Sequence, residues 1–182
     1  KNLEPDYVAV AWDIKGTSIA KRKEILPQYK ATRKPAPPDF HAQIPILREL
    51  LDAFGWPLYE IDNYEADDIM GTFAKQADEK GIETCLVSGD FDMLQMISPS
   101  TCVYITKRGG TDLTLYDEGA FVDKYKVQHE QFVDYKALVG DTSDNIPGVR
   151  KVGPIAAVKL LKEYKNLEGI YEHIDELKGA QK

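Results

Sequence analysis

Residues 64–90 read YEADDIMGTFAKQADEKGIETCLVSGD. In the first half Ile69, Phe73 and Ala77 recur at helical spacing, and Gly81 stops the run. In the second half ETCLVS is a short apolar strand that ends at Gly89 and Asp90. Helix followed by strand is the unit of an α/β layer, and the flanking sequence repeats it. Upstream, DYVAVAWD (residues 6–13) reads as a buried parallel strand ending at Asp13, a helix spans residues 39–54 and closes at Gly55, and PLYEID is a short strand. Downstream, FDMLQMI reads as a short helix, and CVYIT and LTLYD as strands joined through KRGGTD. After Tyr116 the spacing is helical only, with helices over residues 117–125 and 129–139, a loop at GDTSDNIPG, then PIAAVKLLKEY and NLEGIYEHIDEL. The expected architecture is α/β, with a mostly parallel central sheet flanked by helices in residues 1–116 and an all-helical module in residues 117–182.

The 182 residues, 43% of them hydrophobic, can supply a packed core. No run approaches the roughly 18 apolar residues of a membrane span, and the start KNLEPDYVAVAWD lacks the pattern of a signal peptide, so a cytoplasmic, nucleoid-associated monomer without membrane contact is expected. Cys85 and Cys102 sit in strand-like stretches without CxxC spacing and read as buried reduced thiols. A formal charge of -7 argues against a nucleic-acid partner until its distribution is considered. Between Ile14 and Pro35 lie Lys15, Lys21, Arg22, Lys23, Lys30, Arg33 and Lys34 against the single acid Glu24.

Acidic residues gather where an open parallel sheet collects its ligands, at the carboxyl ends of strands. Asp13 and Asp90 end strands, Asp92 follows, Glu65, Asp67 and Asp68 open the helix between, and Asp141 and Asp144 punctuate a later loop. Each has a plainer reading: first-turn acids suit the helix dipole, and Asp is a common turn former. Taken together, like charges aimed at one edge require a counter-ion, and all-oxygen ligation selects Mg²⁺ or Mn²⁺. Eight carboxylates exceed the need of one ion. Two ions about 4 Å apart clamp the attacking and leaving oxygens of a phosphodiester, so hydrolysis of DNA or RNA is expected. Without these eight acids the chain is nearly neutral, with 22 acids against 23 bases.

Two further stretches suit nucleic acid. NIPGVRKVGPIAAVKLL (residues 145–161) places Gly148 and Gly153 in a tight turn before a helix, flanked by Arg150, Lys151, Lys159 and Lys162, an arrangement that offers backbone N–H groups and cations to phosphate. An ordinary helix connection would need the same glycines. QYKATRKPAPP sets Tyr29 beside Lys30 and Arg33, which can stack on a base and neutralise phosphate, or form a plain solvated loop.

YEADDIMGT, LVSGDFDMLQMI, YKALVGDTSDNIPGV and VGPIAAVKLL resemble, in order and near spacing, the motifs of the 5′-to-3′ exonuclease domains of bacterial DNA polymerases I, within the flap endonuclease family. The resemblance implies a PIN-like nuclease core with a basic arch at about residues 14–38, then a helix-hairpin-helix module. It implies a metal site of Asp13, Glu65, Asp67, Asp68, Asp90, Asp92, Asp141 and Asp144, with Asp92, Asp141 and Asp144 nearer the second of two Mg²⁺ ions and Mn²⁺ as a substitute. It implies catalytic roles for Lys30, Arg33, Asp13 and Asp90, with Lys30 on the scissile phosphate. DNA contacts would come from Tyr29, Lys30, Arg33, Gly148, Arg150, Lys151, Gly153 and Lys159, with K⁺ held by the hairpin carbonyls. Substrates implied are 5′ flaps, nicks and 5′-ended duplexes, in replication and repair, with a polymerase domain in the same native chain. Relatives carry a preceding strand with one more metal Asp, so a truncated chain with a gap in its sheet, binding DNA without cutting it, is the alternative expectation. A metal-dependent ribonuclease or phosphatase is a third. Lys151 stands where the family has its first hairpin glycine, and Ile155 where it often has lysine.

Overall fold

A computed structural model describes residues 3–107 and 112–177. The KRGGTD turn falls largely on residues 108–111 and lies outside the described residues. The chain divides into two compact units, Lys1–Met70 and Gly71–Lys182.

In the first unit, β1 (Val10–Ala11) pairs in parallel with β2 (Leu58–Tyr59), Val10 opposite Leu58. The strand expected over residues 6–13 is thus only two residues long. A strand extends as far as its partner, and the backbone bonds Val10 N to Pro57 O and Trp12 N to Tyr59 O, each 2.9 Å, mark the whole ladder. Between these strands lie α1 (Ala20–Ile25), hidden in the sequence by its basic composition, and α2 (Pro38–Ala53). Proline at the first turn of α2 costs no hydrogen bond, and Gly55, at φ +68°, ends the helix in the left-handed conformation expected of it. The unit buries few large apolar side chains, Tyr29, Leu51 and Ile69, whereas Phe40, Ile46, Leu47, Leu50 and Phe54 of the α2 region stay exposed.

Helix α3 (Ala66–Asp78) runs across the division between the units. In the second unit, β3 (Thr84–Ser88) pairs in parallel with β4 (Thr101–Thr106), which pairs antiparallel with β5 (Leu113–Tyr116). The described strands of the α/β layer are hydrogen-bonded as a two-stranded parallel ladder and a three-stranded mixed sheet, as an α/β core requires, and no described strand pairs with the outer edge of β3. One face buries Leu86, Val103 and Ile105. The other leaves Val87, Leu113 and Leu115 exposed together with Cys85, which corrects the expectation of two buried thiols. Asp78, at the end of α3, fixes the start of β4: its Oδ1 accepts hydrogen bonds from Ser98 Oγ and Thr101 Oγ1, each 3.0 Å, and from Ser100 Oγ.

A 3₁₀ turn over Phe91–Met96, which buries Met93 and Leu94, connects β3 to β4, and the helical part follows β5. There α4 (Glu118–Tyr125), α5 (Phe132–Val139), α6 (Pro154–Tyr164) and α7 (Leu167–Glu172) follow in order after β5. Phe121 and Phe132 meet edge to face at 5.2 Å in its core, beside Leu138, Ala157, Leu160 and Leu161. The loop expected at GDTSDNIPG contains a small antiparallel hairpin, β6 (Gly140–Asp141) with β7 (Ile146–Pro147). Gly140 adopts φ +83°, and a Cβ on Gly148 would lie 2.3 Å from Val139 O, so both positions require glycine. Among the described residues, no helix is long and apolar enough to cross a membrane.

Candidate metal centre and nucleic-acid interface

Four of the eight predicted acids lie in the first unit. Asp13, just beyond β1, accepts a 2.6 Å hydrogen bond from Ala66 N at the start of α3. Glu65, only 4% exposed, precedes that helix, and its N–H donates to Asp68 Oδ2 at 2.9 Å. A charge so buried needs partners, and three basic-strip residues supply them. Tyr29 Oη donates to Glu65 Oε2 at 2.8 Å, Lys30 pairs with Oε1, and Arg22 Nη1 lies 3.1 Å from Oε2. Arg22 also grips Asp68 with both terminal nitrogens, at 2.8 and 2.9 Å. That bidentate pair holds the Asp68 carboxyl below the ordinary carboxylate range and raises the Arg22 guanidinium further. Asp67 stands in the same first helical turn.

Base stacking by Tyr29 would need an exposed ring; this ring is buried, and its hydroxyl supports Glu65. Lys30 adopts φ +54°, left-handed backbone that costs a non-glycine residue about 1–2 kcal/mol. Arg33 closes the same turn through its N–H to Lys30 O at 3.2 Å and remains exposed.

The other four acids lie in the second unit. Asp90, beyond β3, caps the 3₁₀ turn by accepting from Asp92 N at 2.9 Å. Asp141 Oδ1 accepts from Ser143 N at 2.7 Å, Ser143 Oγ at 2.6 Å and Asp144 N at 3.2 Å, and Asp144 is buried. Lys136, one turn before the end of α5, reaches two of these acids: its Nζ pairs with Asp141 Oδ2 and lies 2.7 Å from Asp92 Oδ1. That second contact is an ion pair outside hydrogen-bond geometry, and Asp92 Oδ1 is a buried oxygen without a hydrogen bond. Burial pushes the Asp92 carboxyl up despite the lysine. For Asp141 burial acts in the same direction, but hydrogen bonds from Lys136 and Ser143 outweigh it and hold the group well below the usual range. Lys136 itself is raised, because its hydrogen bond to Asp141 and its charge contact with Asp92 exceed the opposing effect of burial.

The acids are thus gathered in pairs: Glu65 with Asp68, Asp92 with Asp141, and Asp141 with Asp144. Among the described residues no three His, Cys, Asp or Glu side chains form a group that could hold a metal ion. Arg22, Lys30 and Lys136 stand against the carboxylates. The donors nevertheless fit a hard divalent ion, since every one is a carboxylate and the buried Asp92 Oδ1 lacks a hydrogen bond. Lys136 went unread as a site residue; its signal is a lone basic side chain in FVDYKALV, where Phe132, Tyr135 and Leu138 are buried.

In the helical part, Gly148, Arg150, Lys151, Gly153 and Lys159 are all exposed. Gly153 is the N-cap of α6, with Pro154 in the first turn. Lys151 adopts φ +66°, the conformation for which glycine is suited. Val149 N donates to Leu138 O at 2.8 Å and Val152 N to Val149 O at 3.0 Å, so these two turn amides are engaged within the protein.

Residues 1–138 match the family described as 5′-3′ exonuclease, N-terminal resolvase-like domain, and residues 127–182 match 5′-3′ exonuclease, C-terminal SAM fold. DNA polymerase I of Bacillus caldotenax is 47% identical over 178 residues, covering 98% of this chain and 20% of that protein. DNA polymerase I of Bacillus subtilis is 43% identical over 178 residues, with the same shares. The chain therefore spans about a fifth of the length of these relatives. Among solved structures, a zinc-bound T5 5′-exonuclease superposes with TM-score 0.74 at 26% identity, over 96% of this chain and 66% of that one. A bacteriophage T5 D15 flap endonuclease complexed with DNA and metal ions gives 0.76 at 25% identity, over 96% and 65%. The catalytic core of Rad2 with DNA substrate gives 0.58 at 18% identity, over 91% and 50%, a likeness of fold.

Proposed function

From the premise that the chain belongs to the 5′-3′ exonuclease family, we propose that it is a structure-specific 5′ nuclease that hydrolyses DNA phosphodiesters with Mg²⁺. The observation that carries this reading is the pairing of four clustered carboxylates with basic side chains: Glu65 with Arg22 and Lys30, Asp68 with Arg22, and Asp92 and Asp141 with Lys136. Carboxylates suit hard cations, and the basic groups suit the phosphates such cations accompany. Asp13, Glu65, Asp67 and Asp68 would hold one ion; Asp90, Asp92, Asp141 and Asp144 would hold a second. When bound, such ions supply an activated water and neutralise charge on the phosphoryl oxygens. Lys30 presents an ammonium to the scissile phosphate, Arg33 an exposed guanidinium to a neighbouring one, and Tyr29 orients Glu65. Gly148, Arg150, Lys151, Gly153 and Lys159 hold duplex backbone without reading sequence, with K⁺ on hairpin carbonyls. Mn²⁺ would replace Mg²⁺, and a polymerase would follow in the native chain.

The test is a fluorescent 5′-flap duplex incubated with the chain and Mg²⁺. Cutting near the junction is expected, and Asp90→Ala should abolish it while leaving flap binding in Ca²⁺. Undiminished cutting by that variant would falsify the assignment. A second reading, a DNA-binding domain that does not cut, is favoured by the absence of a three-acid group among the described residues. Its signature is a gel shift without cleavage, even in Mn²⁺.

A further inference from the structure

Lys136 is engaged entirely by acids. It stands on α5 among buried Phe132, Tyr135 and Leu138, its Nζ between Asp141 Oδ2 and Asp92 Oδ1. An ammonium is a compact point charge, and here it neutralises two carboxylates that would otherwise repel across a partly desolvated space. It does so incompletely, because one positive charge faces two negative ones. A divalent ion would satisfy both carboxylates better, having twice the charge and no need of hydrogen-bond angles. A dication bound to these oxygens and an ammonium held between the same oxygens repel each other.

We infer that Lys136 is a resident counter-ion for the Asp92/Asp141 pair, which a divalent cation enters only by displacing the ammonium, and that the displaced ammonium then serves as a contact for backbone phosphate. The inference rests on the nuclease reading for the identity of the metal and of the phosphate. It makes Lys136 a positioning residue that couples metal loading to DNA affinity. With Lys136 seated, the site is closed and the lysine has no charge to spare. With the metal seated, the same lysine becomes a donor on the protein surface. The coupling is reciprocal: a phosphate that draws Lys136 away also opens the carboxylate pair to metal.

The test uses Lys136→Met, which keeps the stem and removes the charge. Titration of the DNA-free chain with Mn²⁺, followed calorimetrically and by electron paramagnetic resonance, should show one site tightened by about tenfold or more relative to the unsubstituted chain. In Ca²⁺, the gain in flap-duplex affinity that metal brings should shrink. A Lys136→Met protein with unchanged or weaker Mn²⁺ affinity overturns the inference. Should that variant fail to fold, the side-chain ammonium signals of ¹⁵N-lysine-labelled unsubstituted chain decide. The protected Lys136 signal should vanish on adding Mg²⁺, and its persistence at saturating Mg²⁺ overturns the inference equally. If the unsubstituted chain takes up neither ion, the nuclease reading falls along with this one; if it takes up metal while Lys136 stays put, only this one falls.

Discussion

Glu65 shows how one side chain can be legible in sequence while its surroundings are not. As part of YEADD it reads as a first-turn acid. Its partners Tyr29, Lys30 and Arg22 lie 36, 35 and 43 positions away, and no periodicity links such distant residues. From sequence Tyr29 is either a stacking ring or part of a solvated loop, whereas the fold places its hydroxyl beside a buried carboxylate. Because Tyr29 and Arg22 remain to satisfy Glu65, Lys30→Ala should fold normally and bind flap DNA in Ca²⁺. Its cleavage rate should fall about 10²- to 10³-fold, as for removal of one group that stabilises developing charge. Single-turnover kinetics beside a binding titration checks this; a variant cutting at the unsubstituted rate would remove Lys30 from the chemistry.

At the scale of elements, apolar helices with local end signals are the most legible, and the basic α1 is not. The α6 boundaries, Pro154–Tyr164, coincide with the segment predicted, since a proline start and 3.6-residue spacing are local signals. Strand lengths were read worst, because they depend on a partner elsewhere in the chain, as the two-residue β1 shows. The α3 to β4 connection adds a pH-dependent element. Hydrogen bonds from Ser100, Ser98 and Thr101 hold the Asp78 carboxyl below its ordinary range. A depressed carboxyl stabilises the fold fully above its unfolded pKa, about 3.9, and that contribution is lost as pH falls through its lower folded value. Thermal midpoints measured on the acid side should therefore fall less steeply with acidification in Asp78→Ala than in the unsubstituted chain. Parallel curves would show that Asp78 is not a source of the acid sensitivity.

For the molecule as a whole, the sequence conveyed the order of an α/β layer and a helical module, but not where the compact units divide. That division falls inside α3, between Met70 and Gly71, where no local sequence signal marks it. Nor could it convey how unequally the core is shared. Buried apolar side chains of the first unit are Tyr29, Leu51 and Ile69, whereas the second has a continuous set running from Ala74 through Phe121 and Phe132 to Leu161 and beyond. Local stability follows buried apolar contact, so amides of β4, α5 and α6 should exchange with deuterium most slowly and those of α1 and α2 much faster. Hydrogen exchange followed by mass spectrometry tests this; equal protection across both units would contradict it.

The unclad side of the three-stranded sheet, with Val87, Leu113 and Leu115 bare and no described strand along the outer margin of β3, sets how the purified chain behaves in the tube. Such a ledge is sticky toward its own kind. Crowded preparations will thicken into open-ended oligomers through weak colloidal attraction, and dilute buffers will keep the particles apart.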